Sequence, residues 1–182
     1  GGAVLDFGAF TQTLTAGARI QGAGTFKVSG GTLDIGADLT TSAVFSLSGG
    51  ILTGVGTLTL GGTSTWASGT MSGTGRTVIA PGAALALSGA GSKTLDGRIL
   101  ENTGTVTWTG GNLYGINGAT IILRAGALFD DQNPASHSLM SAYTGNKPRF
   151  TVETGATLRK SGAGDAYLYD VIFDNAGTVE VD

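Results

Sequence analysis

Apolar residues recur along the chain at a nearly fixed interval, in most cases as a pair separated by a single residue. The second member of each pair defines a station, and the eight stations lie 19 to 23 residues apart: Val28, Leu47, Trp66, Leu87, Trp108, Phe129, Val152 and Phe173. The residue two positions earlier is apolar at seven of the eight stations. A period of two is that of a β-strand, and a repeat of about 20 residues indicates a solenoid. We therefore predict that the stations form one interior column.

Small residues follow each of the first five stations at the same distance, and this predicts a corner. They are Gly30-Gly31, Gly49-Gly50, Ser68-Gly69, Gly89-Ala90 and Gly110-Gly111. Glycine suits a tight bend because it adopts positive φ and allows close backbone approach. Further glycines, such as Gly54 and Gly73, divide the rest of each repeat. Each repeat is thus expected to hold about three short strands, and the frequent glycines disfavour helix.

These patterns predict an all-β fold, a single-stranded parallel β-helix (β-solenoid) of about eight coils with 19 to 23 residues each. We expect it to be right-handed, because crossovers between parallel strands almost always are. One domain is expected over residues 1–182, with an irregular coil or loop at 130–149, where the pattern breaks. A β-meander sandwich is the alternative, but it gives no reason for corners at a constant offset from each station.

Composition narrows the classes of function. The chain has 182 residues, 33 of them glycine, a net charge of −3 and no cysteine, so we expect neither a disulfide scaffold nor a thiol nucleophile. Its ten basic residues are scattered, which predicts no nucleic-acid partner. No run of 18 apolar residues is present, so no membrane insertion is expected. The first residue is not Met and the last residues read as the middle of a repeat, so we expect a fragment of a longer protein.

Two segments carry a resemblance to a known class of protein. Residues 101–113 (ENTGTVTWTGGNL) and 173–181 (FDNAGTVEV) resemble the repeats of filamentous-haemagglutinin-like exoproteins and autotransporter passenger domains. These are right-handed parallel β-helices of large secreted bacterial surface proteins. The resemblance implies secretion, display at the bacterial cell surface and a non-catalytic adhesive or spacer role, with a glycan or a cell-surface protein as partner. It transfers no active-site residue.

Three acidic residues directly follow the last three stations, namely Asp130, Glu153 and Asp174, and Asp131 adjoins the first of them. On successive coils they would stack about 5 Å apart, close enough to share a calcium ion or bind a sugar. A solvated acidic face without a cofactor is the simpler interpretation. The alternative function is a carbohydrate-active β-helix enzyme of the polysaccharide lyase or glycoside hydrolase type, in which paired carboxylates act as general acid and base.

The segment 130–149 is the first place where we expect binding, because loops that project from a rigid scaffold often carry it. Its candidate ligand-binding residues are His137, Tyr143, Lys147 and Arg149, and His137 is the only histidine. A single histidine without cysteine is a weak metal signal, so no metal site is predicted there. A floppy loop without function is the alternative.

The remaining aromatic residues and the ends of the solenoid complete the expectations. Trp66 and Trp108 are expected in the core, with exposed platforms for sugar stacking as the alternative. Tyr167 and Tyr169 alternate on one side of a strand and are expected to pack. Unpaired strand edges at both ends of a solenoid predict end-to-end self-association.

Overall fold

The computed structural model describes residues 2–141 and 145–182 as a succession of short strands, without a helix in those ranges. The strands are β1 (Val4–Asp6), β2 (Thr11–Leu14), β3 (Thr25–Val28), β4 (Thr32–Ile35), β5 (Leu39–Thr41), β6 (Val44–Thr53), β7 (Thr57–Leu60), β8 (Thr63–Ser72), β9 (Arg76–Ile79), β10 (Ala84–Leu87), β11 (Lys93–Asp96), β12 (Ile99–Asn102), β13 (Thr105–Trp108), β14 (Leu113–Ile116), β15 (Thr120–Leu123), β16 (Leu128–Asp131), β17 (His137–Ser141), β18 (Arg149–Val152), β19 (Thr157–Lys160), β20 (Ala166–Tyr167), β21 (Ile172–Asn175) and β22 (Thr178–Val181).

The strands stack into three parallel faces around a narrow interior. Face 1 holds β1, β3, the first halves of β6 and β8, and β10, β13, β16, β19 and β22. Face 2 holds β2, β4, the second halves of β6 and β8, and β11, β14, β17 and β20. Face 3 holds β5, β7, β9, β12, β15, β18 and β21. Faces 1 and 2 form one 15-stranded sheet because β6 and β8 run through the corner between them.

The chain makes eight coils, and the predicted parallel β-solenoid is confirmed. Coils 1 to 8 begin at β1, β3, β6, β8, β10, β13, β16 and β19, and β22 stacks on β19. Paired residues on face 1 lie 19 to 23 positions apart from Val4 to Leu128. Coil 7 is longer, since Leu128 pairs with Thr157, 29 residues later. Its extra residues fall between β16 and β18.

The eight stations do not form one column, which corrects the predicted alignment. Val28, Leu47, Trp66, Leu87 and Trp108 do stack in register on face 1. The partner of Trp108 on coil 7 is Asp131, however, while Phe129 pairs with Val106 in the neighbouring column. Val152 and Phe173 lie on face 3, where they pair with Leu123 and Phe150. Because side chains alternate in the same way on every face, an apolar pair on face 3 looks like one on face 1 in the sequence. Owing to the greater length of coil 7, the last two stations therefore fall on face 3.

The core consists of the inward residues of all three faces. Burial alternates along the short strands, as in Thr25–Val28, where Phe26 and Val28 are buried and their neighbours are half-buried. Phe129 of face 1 meets Phe150 of face 3 edge-on, with ring centroids 5.5 Å apart. Trp66 and Trp108 are fully buried, so the expectation that they fill the core is confirmed and the sugar-platform alternative for them is wrong.

The corner between faces 1 and 2 needs hydrogen-bond donors from the core, because its tight turns point carbonyl groups inward. The indole Nε1 of Trp66 donates to the carbonyl oxygen of Gly69 at 3.2 Å, and that of Trp108 donates to Gly110 at 2.9 Å. Gly69 has φ = 94°, a conformation that favours glycine. The two tryptophans therefore satisfy corner backbone as well as filling space.

Among the described residues, no helix long and apolar enough to cross a membrane is found.

Candidate functional site

The interior column of face 1 changes character at coil 7, and this change builds the most polar part of the core. Five apolar residues, from Val28 to Trp108, are followed in register by Asp131 and then Lys160. Asp131 faces inward by strand alternation and is 1% exposed. His137, at the start of β17, is buried beside it. We call Asp131, His137 and Lys160 the polar core cluster.

Part of the segment 130–149, for which the sequence suggests an irregular coil or loop, forms strands. Asp130 and Asp131 end β16, His137–Ser141 form β17, and Arg149 begins β18. His137 does not project on a loop, because β17 stacks on β14 and carries β20 above it. Tyr143 lies outside the described residues.

The centre of the cluster is an ion pair between His137 and Asp131. Nε2 of His137 lies 2.9 Å from Oδ2 of Asp131, and Nδ1 lies 2.8 Å from the carbonyl oxygen of Ala135. Both partners can only accept, so both bonds are made when the imidazole carries two protons. The ring also packs edge-on against Trp108, with centroids 4.4 Å apart. These contacts favour the protonated ring and fix its orientation.

The pKa of His137 is raised above its ordinary value of 6.5. Burial acts in the opposite direction, because it disfavours the charged ring, and Lys160 also opposes protonation. The hydrogen bonds to Asp131 and to the carbonyl of Ala135, together with the charge of Asp131, outweigh both effects.

Lys160 closes the cluster from coil 8. Its Nζ donates to the carbonyl oxygens of Gly162 at 2.6 Å and Asn133 at 3.2 Å, and lies 3.8 Å from Oδ1 of Asp131. Oδ1 of Asp131 also accepts the backbone N–H of Asn133 at 3.1 Å. These contacts tie coil 8 to coil 7. The cluster thus uses its charges to hold two coils together.

Asp130 occupies the outer side of the same strand and is covered by neighbouring side chains. Arg159 on the next coil donates to both of its carboxylate oxygens, at 2.6 and 3.1 Å, and Ser161 and Gln132 each donate at 2.7 Å. The hydrogen bond from Arg159 is the largest influence and, with the others, holds the pKa of Asp130 well below its usual range. Asp130 is 2% exposed, so its carboxylate serves the Arg159 pair.

The predicted acidic ladder is not formed. Asp130 lies on face 1, and the residue paired with it on coil 8 is Arg159. Glu153 follows β18 on face 3, and Asp174 lies on β21 of the same face, paired with Thr151. The stacking that suggested a shared calcium ion, or an acid–base pair of the glycosidase type, is therefore wrong. Within residues 2–141 and 145–182, no group of three or more His, Cys, Asp or Glu side chains could hold a metal ion.

The other candidate residues form ion pairs between coils. Glu153 pairs with Arg124, which also pairs with Glu101, and Glu101 pairs with Arg76. This row of alternating charges connects coils 4 to 7 across face 3. Arg149 pairs with Asp174, and Lys147 pairs with Asp170 at 3.2 Å. The structure thus brings Asp131 and His137 together inside the solenoid, whereas Asp130 lies on the outer side of the same strand. Lys147, Arg149, Glu153 and Asp174 form separate ion pairs.

Two buried cations were missed by reasoning from the sequence. Lys93 is fully buried, and its Nζ donates to the carbonyl oxygens of Gly110 at 2.9 Å, Gly91 at 3.0 Å and Gly89 at 3.4 Å. Burial lowers the pKa of Lys93 to about 8. Lys93 is aligned with Gly69 and Leu113 on the adjacent coils. Knowledge of this register would have placed the Lys93 side chain in the interior.

Arg98 is the second buried cation and lies at the entrance to face 3. It donates hydrogen bonds to the carbonyl oxygens of Gly54, Gly56, Ser72 and Arg76 and to the hydroxyl of Thr77, at 2.8 to 3.3 Å. Burial lowers the pKa of Arg98 to about 10. Because its partners belong to coils 3 and 4, one side chain fastens three successive coils.

No family model matches this chain, and neither a curated protein nor a solved structure matches it.

Proposed function

We propose that this chain is a rigid, non-catalytic structural module that holds other surfaces at a fixed distance and displays its own side faces. The observation that carries this proposal is the uninterrupted stacking of eight coils around one core. At about 4.8 Å per coil, eight coils span roughly 38 Å. A flexible chain cannot keep such a distance constant, whereas a packed solenoid can.

Several polar residues support the same proposal, because they form contacts between coils. Arg98 joins coils 3, 4 and 5, Lys93 joins coils 5 and 6, and the polar core cluster joins coils 7 and 8. The row from Arg76 to Glu153 adds ion pairs on the outside. Cross-links of this kind oppose bending and sliding of one coil on the next.

We also propose where the protein is located and what kind of partner it binds. The likeness of residues 101–113 and 173–181 to filamentous-haemagglutinin-like and autotransporter-passenger repeats favours a secreted or cell-surface bacterial protein, with an adhesive or spacer role. The side faces are rich in serine and threonine hydroxyls. Such surfaces suit contact with a glycan or a cell-surface protein through hydrogen bonds.

Pulling on single molecules tests the mechanical role. Handles attached to coils 1 and 8 let an optical trap record extension against force, with a Gly/Ser linker of 182 residues as the control. We expect no extension at low force, followed by abrupt lengthening as coils unfold. A smooth rise that matches the linker would contradict the proposal.

A second candidate is end-to-end association with another copy of the chain. Its support is the exposed apolar side chains on the terminal face-1 strands, Leu5 on β1 and Val181 on β22, which are 60% and 79% exposed. In the described structure, β1 pairs only with β3 and β22 only with β19. Light scattering over a concentration series tests the idea: mass should rise with concentration and fall back in Val181→Lys. A constant monomer mass would exclude it.

A further inference from the structure

Two tyrosines of coil 8 form an exposed aromatic pair, contrary to the expectation that they pack. The rings of Tyr167 and Tyr169 are nearly parallel, with an interplanar angle of 15° and centroids 5.5 Å apart. Their exposed fractions are 40% and 56%. Exposed, contiguous aromatic side chains are candidates for a site of interaction.

The register explains why the pair points away from the core. Ala166 stacks on the buried His137, and Tyr167 stacks on Ser138. Because neighbouring residues of a strand point to opposite sides, Tyr167 faces outward, and the stacking of the rings places Tyr169 on the same side. The pair therefore lies on the outer side of face 2, at β20 and the residues that follow it.

Carboxylates flank the pair at both ends of the short sequence Asp165-Ala-Tyr-Leu-Tyr-Asp170. The Tyr167 hydroxyl donates to Oδ2 of Asp165 at 3.0 Å, which fixes the orientation of the ring. Asp165 is itself anchored to coil 7, since its carbonyl accepts the N–H of His137 at 2.9 Å. Asp170 has φ = 52°, which is unusual for a residue other than glycine, and pairs with Lys147.

This arrangement fits a neutral sugar. A pyranose ring presents a face of C–H groups that packs on an aromatic ring, and its hydroxyls donate to carboxylates at the edge. The charge of Asp170 is already balanced by Lys147, and Asp165 already accepts from Tyr167. Both carboxylates retain oxygens that can accept sugar hydroxyls.

We propose that Tyr167 and Tyr169, with Asp165 and Asp170, bind neutral oligosaccharides through stacking of one pyranose ring on the outer face of the pair. The site rests on the proposed display function, because it is fixed to the side of the rod. Tyr167 and Tyr169 provide the platform, and Asp165 and Asp170 set the orientation of the sugar ring.

The test is a titration of the full chain with cellohexaose, mannohexaose and chitohexaose, followed by saturation-transfer NMR. We expect at least one of them to bind, and Tyr169→Ala to weaken that binding about tenfold or more, as loss of a stacking contact predicts. Tyr167→Phe, which keeps the ring and loses the bond to Asp165, should weaken it less. The control is Phe10→Ala, which removes an aromatic ring that is 90% exposed at the other end of the solenoid and should change nothing.

Each other outcome is decisive. No binding by any of the three sugars, unchanged binding in Tyr169→Ala, or binding of tetramethylammonium in preference to the sugars would overturn the proposal. Urea unfolding of Tyr169→Ala checks that the fold is intact, and if it is not, Tyr169→Leu replaces it. The optical-trap experiment is independent of this titration. A solenoid that resists force but binds no sugar would refute the sugar site and leave the proposed structural role intact.

Discussion

Ser64 is the one polar residue in an interior column where Phe45 lies below it and Leu85 above it. It is fully buried, and its hydroxyl has no hydrogen-bond partner among the described residues. A buried hydroxyl without a partner costs free energy, because it gives up its bonds to water. The same column shows that strand alternation predicts the direction of a side chain but not whether its polar atoms are satisfied.

Ser64→Ala should therefore raise the free energy of unfolding, by about 1 kcal/mol. The measurement is urea denaturation with the midpoint and slope compared between variant and wild type. Ser46→Ala is the matched control, because Ser46 lies on the outer side of the neighbouring coil and accepts a hydrogen bond from Thr65 at 3.1 Å. Ser46→Ala should leave the free energy of unfolding unchanged or lower it slightly. A loss of stability in Ser64→Ala would show that the hydroxyl has a partner in solution.

The raised pKa of His137 predicts the direction in which the free energy of unfolding changes with pH. Its folded pKa lies above the unfolded value of 6.5, so between the two values the folded state binds more protons than the unfolded state. The stabilisation by the charged ring is complete below pH 6.5 and is lost as the pH rises through the folded pKa.

Unfolding midpoints measured at a series of pH values, for wild type and His137→Gln, test this sign. The advantage of wild type over the variant should be largest at the acidic end and shrink as pH rises. Because His137 is the only histidine, its ring protons also give a direct NMR titration curve. An NMR pKa below 6.5, or an advantage that grows with pH, would contradict the cationic assignment.

At the scale of strands and corners, the positions of side chains could be predicted for the periodic part of the sequence, up to Trp108, but not for the irregular part after Phe129. The column from Val28 to Trp108 and its glycine corners follow from alternation and spacing alone. Asp131 could not be placed, since two adjacent acids after Phe129 look like an exposed turn, and the intervals of 23 and 29 residues disguised the register. Lys93 and Arg98 were missed because a charged residue is expected outside unless the backbone carbonyls around it are known.

Gly69 tests the role of the corners. A Cβ atom there would lie 2.5 Å from the carbonyl oxygen of Gly50, and the backbone has positive φ. Gly69→Ala should destabilise the fold by about 2 to 4 kcal/mol, from strain and overlap together. Gly82→Ala is the control, because Gly82 also has positive φ but has no atom within 4 Å of the added Cβ, so about 1 kcal/mol is expected. Equal losses in urea denaturation would show that close stacking at the corner contributes nothing.

At the scale of the whole molecule, the structure is a row of coils in which the strands of each coil pair only with those of its neighbours, as in other solenoids. The side chain of Arg98 reaches one coil further, from coil 5 to coil 3. The interior of coils 2 to 6 is mostly apolar, with Lys93 and Arg98 as buried cations, whereas coils 7 and 8 are joined by Asp131, His137 and Lys160. The function proposed for the molecule depends on whether this row behaves as one rigid body. That property belongs to no single residue or strand.

The most direct test is the distance between two spin labels on face 3, measured by pulsed electron resonance. The chain has no cysteine, so Thr40→Cys and Thr151→Cys can be labelled without other changes. These residues lie in one outward column, five strand spacings apart, or about 24 Å between backbone positions. A rigid solenoid predicts a single narrow distribution near that distance, broadened only by the labels. A broad distribution in native buffer, resembling that of the urea-unfolded chain, would contradict the account.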